Sequence, residues 1–233
     1  MVKISAGSYD LNKWLHGGFE KDIITTIYGS AGSGKTNFCL LAAVSQARKG
    51  NKVIFIDTEG GFSSERVRQI VGKDYKETLK NIMILKPTNF KEQKEVFGKL
   101  LTYLKKQVSL IVVDGMTMLY RLEFADAREK DNENGSAENI RNTNAELVKQ
   151  MGLLAEISRK QNIPVIVTNQ IYRWGENNRM VAGDILKYWS KCLIELSNEP
   201  GRRTAFLRKH RSLPEKNLGF QIINEGVKKR GWI

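Results

Sequence analysis

Short apolar runs recur along the chain, spaced by longer segments in which apolar residues return every three or four positions. The runs Ile23 to Tyr28, Lys52 to Asp57, Ile82 to Leu85, Ser109 to Asp114 and Pro164 to Asn169 read as strands. Three of them contain stretches with no polar interruption, Val53 to Ile56, Leu110 to Val113 and Val165 to Val167. Strands covered on both faces require such stretches, so the pattern predicts a mostly parallel sheet flanked by helices. Asn37 to Lys49, rich in Leu and Ala, reads as a helix. Ile140, Leu147, Met151, Leu154 and Ile157 lie at helical spacing, which predicts a core-facing stripe between the last two parallel strands.

After residue 190 the pattern changes. Lys191 to Leu196, Thr204 to Lys209 and Leu218 to Ile223 read as strands joined by turns at Asn198 to Gly201 and Leu213 to Lys216. Those joints are too short for crossover helices, so antiparallel hairpins are expected at the sheet edge. No composition break divides the 233 residues, which read as one core domain over 1–233. The polar stretch Arg128 to Ser136 reads as a mobile loop.

Between the first strand and its helix lies Gly29-Ser30-Ala31-Gly32-Ser33-Gly34-Lys35-Thr36, a full match to G-x-x-x-x-G-K-[ST] in the strand-to-helix setting that pattern requires. Three glycines let backbone N–H groups turn toward one anion, and the helix N-terminus adds its positive dipole. Lys35 supplies a point charge for β and γ phosphates, and the Thr36 hydroxyl can ligate Mg²⁺. The segment Gly29 to Asn37 is the candidate ATP-binding element. Asp114 ends the fourth apolar run, where a carboxylate can hold the water shell of Mg²⁺ opposite Thr36. Glu59 follows the second run, at the strand end where open α/β sheets take their ligands. It can orient the water that attacks a γ phosphate, or it can be a surface ion-pair partner. Asn169 and Gln170 end the fifth run, and their amides can sense that phosphate.

The formal charge of +13 suits a polyanionic partner. Residues 201–230 carry nine Lys or Arg (202, 203, 208, 209, 211, 216, 228, 229, 230) against Glu215 and Glu225. A solvated basic face gives the same count. Cys39 and Cys192 fall in apolar segments and read as buried small hydrophobes in a reducing compartment, with no Cys or His spacing for a metal. No run approaches the roughly 18 apolar residues of a membrane span. A soluble, cytoplasmic protein associated with the nucleoid is expected, with no membrane partner.

Five segments together make a resemblance. Ile4 to Phe19, Gly29 to Thr36, Asp57-Thr58-Glu59-Gly60-Gly61 through Arg66, Thr168 to Gln170 and Lys209-His210-Arg211 through Glu215 stand in an order and spacing that resembles the RecA-type recombinases, and among them the short archaeal RadB branch. The resemblance covers nearly the whole chain. It implies a P-loop ATPase core of RecA type with antiparallel C-terminal strands, using ATP and Mg²⁺. It implies Lys35, Glu59 and Gln170 as the catalytic set, Glu59 as the catalytic carboxylate and Gln170 as the γ-phosphate sensor. Arg66 is implied to lie against the adenine, and residues around Pro214 to cap a neighbouring nucleotide. Lys209 and Arg211 are implied to reach the γ phosphate of an adjacent subunit, although basic residues on an edge strand also simply discourage aggregation.

Departures from the strand-exchange enzymes matter as much. Twenty-eight residues precede Gly29, so neither a helix-hairpin-helix domain nor an upstream Phe-x-x-Ala polymerisation segment is expected. Phe124 to Ala127 matches that pattern by chance. The counterpart of the first DNA loop, Arg121 to Gly135, holds Arg121, Arg128 and Lys130 against Glu123, Asp126, Glu129, Asp131 and Glu133, and repels phosphates. The counterpart of the second, Ile171 to Ala182, mixes Tyr172, Arg173, Trp174 and Arg179, suited to stacking on bases and pairing with phosphates; a locally packed Trp174 is the alternative. The expected function is that of a weakly hydrolysing, ATP-binding accessory of DNA repair and homologous recombination, with DNA (single-stranded or branched), a RadA-type recombinase and a second copy of itself as partners. A RecA-fold helicase, a clock-type ATPase and a non-hydrolysing ATP-switched binding module remain as alternatives.

Overall fold

The predicted parallel strands form because their side chains are apolar on both faces: β3 (Ile24–Gly29), β4 (Lys52–Asp57), β5 (Ile82–Leu85), β6 (Val108–Asp114) and β7 (Val165–Trp174). The structure is a computed structural model and describes residues 2–104, 108–129, 136–174 and 177–231. These strands join β9 (Cys192–Glu199), β10 (Arg202–His210), β11 (Lys216–Ile223) and β12 (Gly226–Lys229) in a ten-stranded sheet of order β12-β11-β10-β9-β3-β7-β6-β4-β5, the tenth strand pairing with β7 off that path. β3, β4, β5, β6, β7 and β9 run parallel, and β10, β11 and β12 alternate in direction as the short turns required. The fold is therefore a RecA-type α/β core with an antiparallel C-terminal edge.

Two apolar layers cover the sheet. On one face α2 (Lys35–Ala47) buries Phe38, Leu40, Leu41 and Val44, and Phe38 meets Phe220 edge to face at 5.2 Å. Each such side chain, fully buried, contributes roughly 1.5–3 kcal/mol. α3 (Ser64–Val71), a 3-10 turn at Gly72–Asp74 and α4 (Tyr75–Leu79) follow on that side, with Ser63 capping α3. On the other face lie α5 (Phe90–Gly98), α6 (Leu100–Tyr103), α7 (Met118–Glu129), α8 (Ser136–Gln161) and α9 (Gly183–Trp189). Leu147, Met151, Leu154 and Ile157 of α8 are buried there as the stripe predicts, with Ile140 half-buried. Cys39 and Cys192 are free and buried; burial pushes both thiols up, Cys192 to about 12, so they stay protonated. Among the described residues no helix is long and apolar enough to cross a membrane.

Three expectations change. The polar stretch 128–136 is not a single loop: α7 runs through Glu129 and α8 begins at Ser136, and 130–135 lie outside the described residues. Arg121 to Glu129 is thus helical, because Leu119, Tyr120 and Phe124 give the segment an apolar face; Phe124 packs on Tyr120 at 5.7 Å, an internal contact. The segment expected as an open second loop is a hairpin. β7 continues to Trp174 and pairs with β8 (Asn177–Met180), which places Tyr172 opposite Arg179. Helix α2 begins at Lys35 rather than Asn37, because Gly34, with φ 107°, turns the chain directly into it.

At the N-terminus, β1 (Lys3–Ile4) pairs with β2 (Phe19–Glu20), and α1 (Tyr9–Trp14) lies between them, capped by Ser8.

Candidate nucleotide and nucleic-acid sites

The loop after β3 is shaped by positions that tolerate no Cβ. A methyl on Gly29 would meet the Leu196 carbonyl oxygen at 2.2 Å, and Gly32 and Gly34 hold φ of 71° and 107°. Lys35 folds back over the loop, its Nζ donating to the carbonyls of Gly29 at 3.0 Å and Ser30 at 2.9 Å. Burial pushes the Lys35 pKa down, opposed by Glu59 and Asp114 nearby. Ser33 Oγ is buried with no hydrogen-bond partner among the described residues. A buried ammonium held by carbonyls alone and an orphan hydroxyl beside it fit an anion at this loop. Ala31 and Gly32 are exposed, open to such a ligand.

Thr36 Oγ1 donates to Asp114 Oδ2 at 2.7 Å, and Thr168 Oγ1 donates to Oδ1 at 2.8 Å. Burial raises the Asp114 pKa, and the two hydroxyls oppose that rise. The predicted metal pair is thus in contact. Among the described residues no group of three or more His, Cys, Asp or Glu is gathered as a metal site. The pair suits Mg²⁺, which takes one or two protein oxygens and completes its shell with water and phosphate.

Glu59 is positioned by its neighbours. Asp57 accepts the backbone N–H of Gly61 and of Phe62, both at 3.0 Å, and Thr58 Oγ1 donates to the Gly115 carbonyl at 2.7 Å. Gly115, with φ 94°, leaves room for this: a Cβ there would lie 2.3 Å from Thr58 Oγ1 and 2.6 Å from Glu59 Cγ. Glu59 Oε2 then accepts from Gln170 Nε2 at 3.1 Å. Catalytic candidate and sensor candidate therefore touch. Asn169 plays another part: its side chain is buried, accepting from Thr117 and donating to the Val181 carbonyl at 2.8 Å. It ties β7 to the segment leaving the hairpin, so Gln170 alone of the two amides faces the site.

Arg66 is fully engaged within the chain. Its Nε donates to Asn37 Oδ1 at 2.9 Å, Nη1 to the Asn224 carbonyl at 3.0 Å and Nη2 to the Ile223 carbonyl at 2.8 Å. It clamps α3 to α2 and to the β11–β12 turn, and only its planar face is left for stacking. Lys209 Nζ donates to the Lys187 carbonyl at 3.0 Å. Arg211 is bound more heavily, to Glu20 through Nε and to Asp22 through Nη2 at 2.7 Å. At the hairpin, Arg179 is exposed; Arg173 and Trp174 lie on its first strand opposite Asn178 and Asn177.

Asp57, Thr58 and Thr168 stand within the segments that carry the resemblance, but sequence reasoning assigned neither them nor Gly115 a role; the structure shows that they hold Glu59 and Asp114 in place.

A model of the Rad51 family matches residues 1–230. A protein of Methanococcus maripaludis named DNA repair and recombination protein RadB is 40% identical over 218 residues, covering 93% of this chain and 96% of its own. The protein of that name from Methanocaldococcus jannaschii is 40% identical over 217 residues, covering 93% and 98%. A solved structure described as that of the RadB recombinase matches with a TM-score of 0.78 at 35% identity, over 98% of this chain and 100% of the other.

Proposed function

From a chain that belongs to the Rad51 family, matched along residues 1–230, we propose an ATP-binding, weakly hydrolysing accessory protein of DNA repair and recombination that acts beside a RadA-type recombinase. The observation that carries the reading is the meeting, at one strand edge, of the Lys35 loop, the Thr36–Asp114 contact and the Glu59–Gln170 contact. ATP, when bound with Mg²⁺, supplies the phosphoryl group and the cation that neutralises its charge. Lys35 leaves its two carbonyls for phosphate oxygens, Thr36 and Asp114 bind or orient the metal's shell, and Glu59 orients a water and accepts its proton. Gln170 holds Glu59 in place meanwhile. A cytoplasmic location on the nucleoid and assembly as a dimer or larger homo-oligomer belong to the same reading.

Glu59→Gln is expected to bind Mg-ATP within about twofold of wild type and to lose hydrolysis by roughly 100-fold or more, since general-base help is worth about 10²–10⁴. Phosphate release beside calorimetry checks this; hydrolysis at the wild-type rate would remove Glu59 from the chemistry.

β7 runs without a break from Gln170 to Tyr172 and on to Trp174. That continuity supports a coupling of nucleotide state to the hairpin, and so to DNA. In Gln170→Ala, single-strand affinity should stop responding to the exchange of ADP for a non-hydrolysable ATP analogue while ATP affinity holds. A response equal to wild type would break the link. The accessory role rests on the acidic balance around Glu123, Asp126 and Glu129, unsuited to holding DNA. Joint-molecule assays with single strand and homologous duplex test it: this chain alone should form none and should change the yield of a RadA-type recombinase. Robust product from the chain alone would make it a recombinase in its own right.

A further inference from the structure

A groove of about 730 Å³ lies along the outer edge of the large sheet, between α1 and strands β10 to β12, and no residue of the candidate nucleotide site lines it. Lys13 of α1, Arg202 of β10, Lys229 at the end of β12 and Arg230 just after it line its walls. Among the described residues none of these four cations is ion-paired. Asp10 is, among the described residues, the single acid lining the groove, and its Oδ2 already accepts the backbone N–H of Lys229 at 2.7 Å. Arg230 is held in place by its bond to the Gly201 carbonyl at 2.7 Å, which fixes the guanidinium without neutralising it. Tyr9, 79% exposed, lines the groove together with Trp14, which is buried.

Basic residues on an edge strand ordinarily only discourage edge-to-edge pairing. That explanation covers Lys229 and Arg230 but not Lys13 or Arg202, because Lys13 comes from a helix and Arg202 from a strand inside the sheet. The charge lines a concavity, and an exposed aromatic ring flanks it. A basic groove that tracks phosphates beside an aromatic face on which a base can stack is the chemistry of single-strand binding. An acidic peptide would satisfy the charges but would leave the Tyr9 ring without use.

We propose that this groove is a contact surface for single-stranded DNA, separate from the β7–β8 hairpin. It rests on the DNA-binding part of the proposed function and is independent of nucleotide binding. The phosphate backbone would run past Lys13, Arg202 and Lys229, with a base on Tyr9.

The test is anisotropy of a labelled oligothymidylate, and of a duplex of equal length, across a salt series. Replacing Lys13, Arg202 and Lys229 together by Gln should reduce the slope of log affinity against log salt by about 2, at roughly 0.7 for each single-strand phosphate no longer neutralised. Tyr9→Ala should weaken single-strand binding at least about fivefold and spare the duplex, as loss of one stacked base does. Mg-ATP affinity should be unchanged in both variants, and thermal unfolding should match wild type. Lys13→Glu, one exposed helical position, repeats the test with minimal risk to folding. A wild-type slope in the triple variant would overturn the groove while leaving DNA binding elsewhere intact. Competition by polyglutamate as strong as by oligothymidylate, insensitive to Tyr9→Ala, would make it an acidic-protein surface instead. Failure of the unaltered protein to bind DNA would sink both this proposal and the DNA-binding reading beneath it.

Discussion

Lys35→Ala is expected to abolish measurable Mg-ATP binding and leave the fold intact. The ammonium sits over the loop, bound to the Gly29 and Ser30 carbonyls, and burial pushes its pKa down. A depressed lysine pKa means the charged form is disfavoured in the folded chain, so removing it costs the fold little. Against phosphate oxygens the same ammonium makes charge-assisted bonds worth about 1.5–3 kcal/mol each, and two of them lost correspond to roughly 100-fold or more in affinity. Calorimetry reads the affinity and thermal unfolding reads the fold. Wild-type affinity in this variant would overturn the site. Weak binding together with a large drop in midpoint would show that the lysine serves the fold instead.

What the sequence made legible was local. The loop from Gly29 to Thr36 is a contiguous pattern between a strand and a helix, and its neighbours Glu59, Asp114 and Gln170 each end an apolar run, which puts them on one sheet edge whatever the strand order. The strands Lys52–Asp57 and Ile82–Leu85 fell within their predicted bounds because apolar runs flanked by polar residues mark both ends. What was not legible depends on partners far along the chain. The two-residue strands β1 and β2 are too short for any periodicity and exist only because they pair with each other. The hairpin of β7 and β8 hides in a polar segment whose strand character comes from pairing, not from alternation. Arg66 carries a familiar position, yet its guanidinium is held by the backbone carbonyls of Ile223 and Asn224 at the far end of the chain, which no local pattern encodes. Arg211 is the sharpest such case: its partners are Glu20 and Asp22.

That contact predicts the second large effect. Glu20 on β2 is buried and accepts from Arg211 Nε and from Ser212 Oγ at 2.9 Å, while His210 Nδ1 accepts the backbone N–H of Ser212 and Leu213, both at 3.1 Å. Together they bind the N-terminal β1–β2 pair to the turn after β10. Glu20→Ala strands these donors; because Arg211 is 31% exposed and keeps Asp22, the cost is about 1–3 kcal/mol, a fall in unfolding midpoint of about 5 °C for a chain of this size. Acid should weaken the same lock. Burial would raise the Glu20 pKa, but the bonds from Ser212 and Arg211 outweigh it and hold the carboxyl low; burial holds the His210 imidazole low against the pull of Glu20. Both folded pKa values lie below their unfolded ones, so both contributions are present at neutral pH and lost as pH falls. The loss begins below about 6.5 through His210 and deepens below about 4.5 through Glu20, and Glu20→Ala should flatten the lower part of the profile. The consequence for catalysis is a division between the two proposed finger residues. Arg211→Ala should lower stability and ATPase together, because its guanidinium is committed to Glu20 and Asp22. Lys209→Ala, which gives up one bond to a carbonyl, should lower ATPase with stability intact if it reaches a neighbouring subunit, and mixing it with Glu59→Gln should restore part of the activity. An Arg211→Ala protein with a wild-type midpoint and reduced ATPase would reverse the assignment, freeing the arginine to act across the interface and leaving Glu20 to be held by Ser212 alone.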